Sequence, residues 1–213
     1  MGNDSFSSVQ ISTSAIVLHS TRISDRSSVL HLYTRECGRI PYLIYGVASR
    51  KSPKQAMLMP LALLDIEAVH QENRDLQQLR DWQLSYVPTA LSADITRQTV
   101  ALFIAEILYR TLIHPLPDQR LFDFLEQTIR ELDTRPDPQN VHLEFLLGFI
   151  QHLGYGIDYE SASALPFLPL LEGQPIPRNQ RQAMLTYLMN YYEEQIPDFH
   201  CPKSLDVMMQ VFD

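Results

Sequence analysis

The sequence predicts an α+β chain, with a small five-stranded barrel first and an all-helical domain after it. Three observations carry this. Short runs of β-branched and aromatic residues, punctuated by turns, fill residues 14–87. From Ser92 onward the apolar residues recur at the helical period instead. The charge balance shifts at the same place: residues 1–80 hold nine Lys/Arg against seven Asp/Glu, and residues 81–213 hold eight against eighteen, for a formal charge of −8 overall.

The first strand is "SAIVLHS" (14–20), followed by the turn-like "TRISDR"; "SSVLHLYTRE" (27–36) is the second. Cys37-Gly38 reads as a tight turn into "RIPYLIYGVA" (39–48), where Pro41 marks an edge or a bulge because it cannot donate to a ladder. A basic loop follows, then "LMPLALLDIEAVH" (58–70), the turn "QENRD", and "LQQLRDWQLSYV" (76–87). Five short strands fit a Greek-key barrel of the oligonucleotide-binding (OB) type, although pattern alone also admits an SH3-like barrel. The domains expected are an OB barrel over 1–88 and a helical domain over 89–213.

In the second part, Val100, Phe103, Ile104, Ile107, Leu108 and Leu112 form one helical stripe, and His114-Pro115 stops it. Asp118 is placed to cap the next helix, with stripe Leu121, Phe122, Leu125, Ile129 and Leu132. "VHLEFLLGFIQHLG" (141–154) is apolar nearly all round, which predicts burial at the centre of a bundle. Four prolines in residues 160–177 predict an irregular stretch within about 157–178; helices at 179–196 and 203–212 complete the chain.

At 213 residues and 45% hydrophobic, the composition is that of a globular chain with a sizeable core. No apolar run reaches the ~18 residues of a membrane span, and the N-terminus lacks signal-peptide features, so a cytoplasmic location is expected. No P-loop, GxGxxG or HExxH is present. His19 and His31 fall in strands that approach each other if paired, but two histidines are an incomplete metal site. Cys37 lies beside Arg35 and Arg39, which would lower a thiol pKa, yet no base accompanies it. Asp65 and Glu67 alternate on one strand and read as a solvated face.

The basic loop stands out. Arg50, Lys51 and Lys54 lie within five residues, and two of the chain's three lysines are there. A loop after the third strand of a small barrel lies near the face such barrels use for nucleic acid. Arg22, Arg26, Arg35 and Arg39 come from neighbouring turns and strands, and Tyr33, Tyr42 and Tyr45 interleave as stacking platforms, some of which alternation must send to the core.

The run "AIVLHSTRISDRSSVLHLYTRECGRIPYLIYGVASRKS" resembles the N-terminal region of the bacterial recombination mediator family RecO. The likeness continues through "LMPLALLDIE", "DLQQLRDWQL", "LFIAEILYRTL", "LFDFLEQTIRELD" and "FIQHLGYGID" to "KSLDVMMQVF", nearly the whole chain in order. It is most like the short Bacteroides-group form. The resemblance implies a non-enzymatic protein without cofactor that binds single- and double-stranded DNA and anneals complementary strands. It also implies work with RecR to load RecA on DNA coated by single-strand-binding protein, whose acidic tail docks on the helical domain, with RecF as a further partner and the nucleoid as the place of action. The family's motif after the third strand matches Gly46, Ala48, Arg50, Lys51 and Lys54 here, which with Tyr45, Arg22, Arg35 and Arg39 form the expected DNA-binding set; Gly46 would let a phosphate approach the backbone. A protein-interaction scaffold, with the basic loop incidental, is the rival reading.

Two departures from the family follow. No Lys or Arg occurs from Pro136 through Pro177, so cations for an acidic tail would come from residues such as Arg110, Arg120 or Arg130. Many members also carry a cysteine-rich zinc module after the "LGYGID" signature, where this chain has Ser161 and Ser163. Two distant cysteines, Cys37 and Cys201, cannot close a tetrahedral site, so the purified protein is expected to hold no stoichiometric zinc. About one dialysis-resistant zinc per chain by elemental analysis would contradict this.

Overall fold

A computed structural model describes residues 8–45, 54, 57–71, 73–113, 116–156 and 167–211. The chain forms two compact units, Met1–Val87 with Leu112–Glu126, and Pro88–Thr111 with Gln127–Asp213.

The first unit is a closed five-stranded barrel in the order β1-β2-β3-β5-β4: β1 Ser8–Arg22, β2 Ser27–Thr34, β3 Gly38–Tyr45, β4 Leu63–Gln71 and β5 Gln77–Leu84. This is the expected OB-type barrel. Closure depends on β1, whose first half pairs with β4 (Ser8↔Gln71 to Ile16↔Leu63) and whose second half pairs with β2 (Ala15↔Thr34 to Arg22↔Ser28). A register shift between Val17 and His19 separates the two roles. The strand is therefore longer than the apolar run 14–20; its first six residues, "SVQIST", are mostly exposed and polar. β3 meets β5 in a short parallel ladder, Tyr42↔Gln77 and Leu43↔Gln78. That ladder begins just after Pro41, so the proline spoils no bond in it. Alternation sends Val17, Leu30, Leu32, Tyr42, Ile44, Leu64, Ile66 and Leu79 inward to one core.

Helices are numbered α1 Ala90–Ala93, α2 Ile95–Thr111, α3 Gln119–Thr134, α4 Val141–His152, α5 Leu168–Leu171, α6 Arg178–Gln195 and α7 Ser204–Val211. Asp118 caps α3 as expected, its Oδ1 accepting the N–H groups of Arg120 (2.8 Å) and Leu121 (3.1 Å). His114-Pro115, proposed as the stop of α2, lies outside the described residues, as do 157–166 of the irregular stretch.

In the second unit α2 packs on α7 and α4, and α4 also packs on α6. α4 is buried through Val141, Leu143, Phe145, Leu146, Leu147, Phe149 and Ile150, as its all-round apolar pattern requires. Tyr192 of α6 is fully buried and donates its hydroxyl to the Leu146 carbonyl at 2.7 Å. Helix ends are satisfied by charge. Buried Arg97 donates to the carbonyls of Leu132 and Arg135 at the end of α3. The Glu106 carboxylate accepts from the N–H groups of Lys203 and Ser204, each at 3.0 Å, at the start of α7. Ser204 Oγ (2.7 Å) and Arg110 Nη2 (2.7 Å) donate to it as well. Burial alone would raise this carboxyl, but the donors hold it down to about 2.

Candidate nucleic-acid interface

Strand register sorts the candidate cations into two groups. Arg22 pairs with Ser28, Ser28 with Ile44 and Ser27 with Tyr45, so Arg22 and Tyr45 share one end of the β1–β2–β3 sheet. Arg35 and Arg39 flank the β2–β3 hairpin at the other end, where Tyr33 pairs with Arg39. The two ends are about 20 Å apart at strand rise.

The hairpin group is engaged within its own unit. Arg35 bonds Asp123 (2.6 Å) and Glu126 (3.1 Å), and its guanidinium lies 4.3 Å from the Phe122 ring centroid. Arg39 donates to the Leu112 carbonyl at 2.8 Å. A phosphate reaching Arg35 would have to displace two carboxylates. Arg22 is more open: it bonds Asp25 at 2.8 Å, with both side chains largely exposed, a pairing that contributes little.

Gly46, Arg50 and Lys51 lie outside the described residues. Lys54 is described, and it is held. Its ammonium sits 4.6 Å from the centroid of the Trp82 ring and is ion-paired with Asp81, both on β5. Lys54, with the Trp82 N–H at 2.9 Å, keeps the Asp81 carboxyl below its ordinary range. Nothing in the local sequence announced this pairing, because Asp81 lies 27 residues away.

The tyrosines divide. Tyr33 is buried, stacked on Phe122 at 6.1 Å, and Tyr42 is buried with its hydroxyl 2.9 Å from His70 Nε2. Burial raises both phenols, that of Tyr33 to about 12. Tyr45 alone of the three is exposed, at 60%. It borders an open cleft of about 510 Å³. Leu43, Gln78 and Val69 stand side by side across β3, β5 and β4 as its floor. The β4–β5 turn adds Arg74, Asp75 and Leu76. Gln77 fixes that turn: its Oε1 accepts the Gln71 N–H at 2.8 Å, and its Nε2 donates to the carbonyls of Gln71 and Arg74. Sequence reading missed Arg74 and Leu76; the available signal was their position in the loop before the fifth strand, a usual contact loop of such barrels.

His19 and His31 do pair across β1–β2, with ring centroids 6.1 Å apart. Burial, then the charges of Arg39 and His19, push His31 down to about 4, so it is neutral at physiological pH. The Cys37 thiol is not lowered by its arginine neighbours. Burial pushes it up, a hydrogen bond with Thr34 opposes this, and Glu36 adds to the rise. Cys37 is thus an ordinary hairpin cysteine rather than an activated thiol, in line with the lack of an accompanying base. Asp65 accepts from Ser14 Oγ at 3.2 Å, and Glu67 is exposed opposite Asp81, an arrangement without a proton-transfer pair. Among the described residues no group of three or more His, Cys, Asp or Glu is placed to hold a metal ion, and no helix is long and apolar enough to cross a membrane.

Comparison with known proteins bears on the whole chain. Residues 8–87 match the family model Recombination protein O N terminal, and residues 92–166 match Recombination protein O C terminal. DNA repair protein RecO of Porphyromonas gingivalis is 32% identical over a 240-residue alignment that covers 93% of this chain and 98% of that protein. The proteins of the same name from Phocaeicola vulgatus and Flavobacterium psychrophilum are 30% and 27% identical, over 94% and 96% of this chain and 98% and 100% of theirs.

Proposed function

The chain belongs to the RecO family of DNA repair proteins, and from that premise we propose that it is a non-enzymatic DNA-binding mediator of recombinational repair. It binds single- and double-stranded DNA through the barrel, anneals complementary strands, and acts with RecR to load RecA on strands covered by single-strand-binding protein. RecF and the acidic tail of single-strand-binding protein are further proposed partners. Its place of action is the cytoplasmic nucleoid.

One observation carries the DNA-binding part. The β3–β4 connection, which contains Arg50, Lys51 and Lys54, leaves the barrel at the exposed Tyr45, on the sheet end that also bears Arg22. Phosphates carry no sequence information, so such a surface holds DNA of any sequence. Lys54 enters this reading as a cation already paired. A phosphate that takes it exchanges Asp81 for another anion. Arg35 and Arg39 belong to the proposed set only if DNA displaces their present partners.

The test is a salt titration of DNA affinity on two unrelated oligonucleotides. Each neutralised phosphate steepens the fall of log affinity with log salt by about 0.9 on duplex and about 0.7 on single strands. Steep, sequence-independent slopes are expected. Flat slopes or absent binding would favour the scaffold reading, with a protein on the barrel.

A further inference from the structure

The Tyr45 cleft differs from the cationic sites around it. It is not a pocket for a buried ligand, because it is open along one side of the sheet and its floor is a row of strand residues rather than a closed wall. Its volume of about 510 Å³ is that of a small-ligand site. Its chemistry is mixed. Tyr45 offers an exposed aromatic ring, and Leu43, Val69 and Leu76 offer apolar surface. Gln78 brings an amide that both donates and accepts, and Asp75 a carboxylate that accepts. Arg74 is exposed and makes no ion pair among the described residues.

We propose that this cleft receives one unstacked base of single-stranded DNA, seated on Tyr45, with Arg74 on an adjoining phosphate. The proposal rests on the DNA-binding reading above and adds a strand preference to it. A base has a π-face to stack and an edge of donors and acceptors, which the ring, the amide and the carboxylate answer together. In a duplex both base faces are covered by their neighbours, so only an unpaired strand can fill the cleft. The turn that carries Arg74 is pinned by the buried Gln77, so the guanidinium is presented from a fixed loop rather than a floppy one.

The experiment separates bases from phosphates. Fluorescence anisotropy is measured with a labelled oligo(dT), an abasic oligomer of equal length and charge, and a duplex. Wild type is expected to bind oligo(dT) about 5- to 150-fold more tightly than the abasic strand, the range for one stacked base. Tyr45→Ala should erase that difference, with a smaller loss on the duplex than on oligo(dT), since no phosphate contact is removed. Tyr45→Phe should keep it, because stacking needs the ring and not the hydroxyl. Arg74→Ala should flatten the salt slope on oligo(dT) by about 0.7. Unchanged thermal melting of both Tyr45 variants would confirm that the fold is intact.

Equal wild-type binding to oligo(dT) and the abasic strand, with steep salt slopes on both, overturns the base cleft and leaves the DNA-binding reading standing. So does a Tyr45→Ala loss that is the same on every probe. No wild-type binding to any of the three overturns both.

Discussion

The variant Arg50→Ala, Lys51→Ala, Lys54→Ala is expected to bind duplex DNA about 40- to 300-fold more weakly than wild type in 0.15 M salt. If all three cations neutralise phosphates, the slope of log affinity against log salt falls by about two to three units, and that loss carried down from 1 M salt gives the range stated. Unrelated sequences should lose equally, and annealing should fall in parallel because two polyanionic strands must be held together. The position of Lys54 adds detail. Removing it leaves Asp81 facing the DNA without its counter-charge, so Lys54→Ala alone should cost more than the loss of one contact. It also removes a cation–π contact over Trp82, worth about 0.5–1 kcal/mol of stability at an exposed site. Trp82 is the only tryptophan, so its fluorescence reports on Lys54 directly. A DNA-induced emission change present in wild type and absent in Lys54→Ala is the expected signature. Unchanged slope and affinity in the triple variant would show that the loop is a solvated turn and move the search to Arg22, Arg35 and Arg39.

The second large effect lies in the helical unit. Glu106→Ala should destabilise the protein by about 2–3 kcal/mol, because it removes the anion that caps α7 and strands several charge-assisted donors at once. The effect has a pH signature. The carboxyl sits at about 2 in the folded protein against an ordinary 4.5, so its contribution is complete above about pH 4.5 and is lost as pH falls toward 2. Glu106→Gln, which keeps the shape and loses the charge, should therefore lie further below wild type at pH 7 than at pH 3. Ser204→Ala, which deletes one hydroxyl donor, should cost about 1 kcal/mol and keep the pH dependence. Urea unfolding midpoints at the two pH values decide it; equal Glu106→Gln deficits at both would refute the carboxylate's role.

What was legible in the sequence was what repeats locally. Period-two runs located the five strands, the 3.6-residue stripes located the longer helices but not the one-turn helices Ala90–Ala93 and Leu168–Leu171, and Asp118 was readable as a cap because a cap acts within three residues of itself. Tyr42 and Tyr45 are three residues apart, so alternation alone places them on opposite faces; which one faces water needed the core. Long-range pairing was not legible. The first six residues of β1 are mostly polar and exposed, and they form a strand only because β4 binds them. The partners of Arg35, Arg39 and Lys54 lie 91, 73 and 27 residues away. Cations that looked alike in the sequence differ in how firmly they are held, and no local pattern records this.

The division of β1 between two neighbours also sets a timetable for synthesis. Its second half can zip onto β2 as soon as that strand emerges, since a tight turn joins them. Its first half must wait for β4: Ser14 pairs with Asp65, 51 residues later. At about 5–20 residues per second, that segment spends roughly 3–10 s on the ribosome with its ladder groups unclaimed. An unclaimed strand is an invitation to pair with another nascent chain. The polar residues Ser8, Gln10 and Ser12, which contribute nothing to the barrel's interior, keep the waiting segment hydrated until its partner is made.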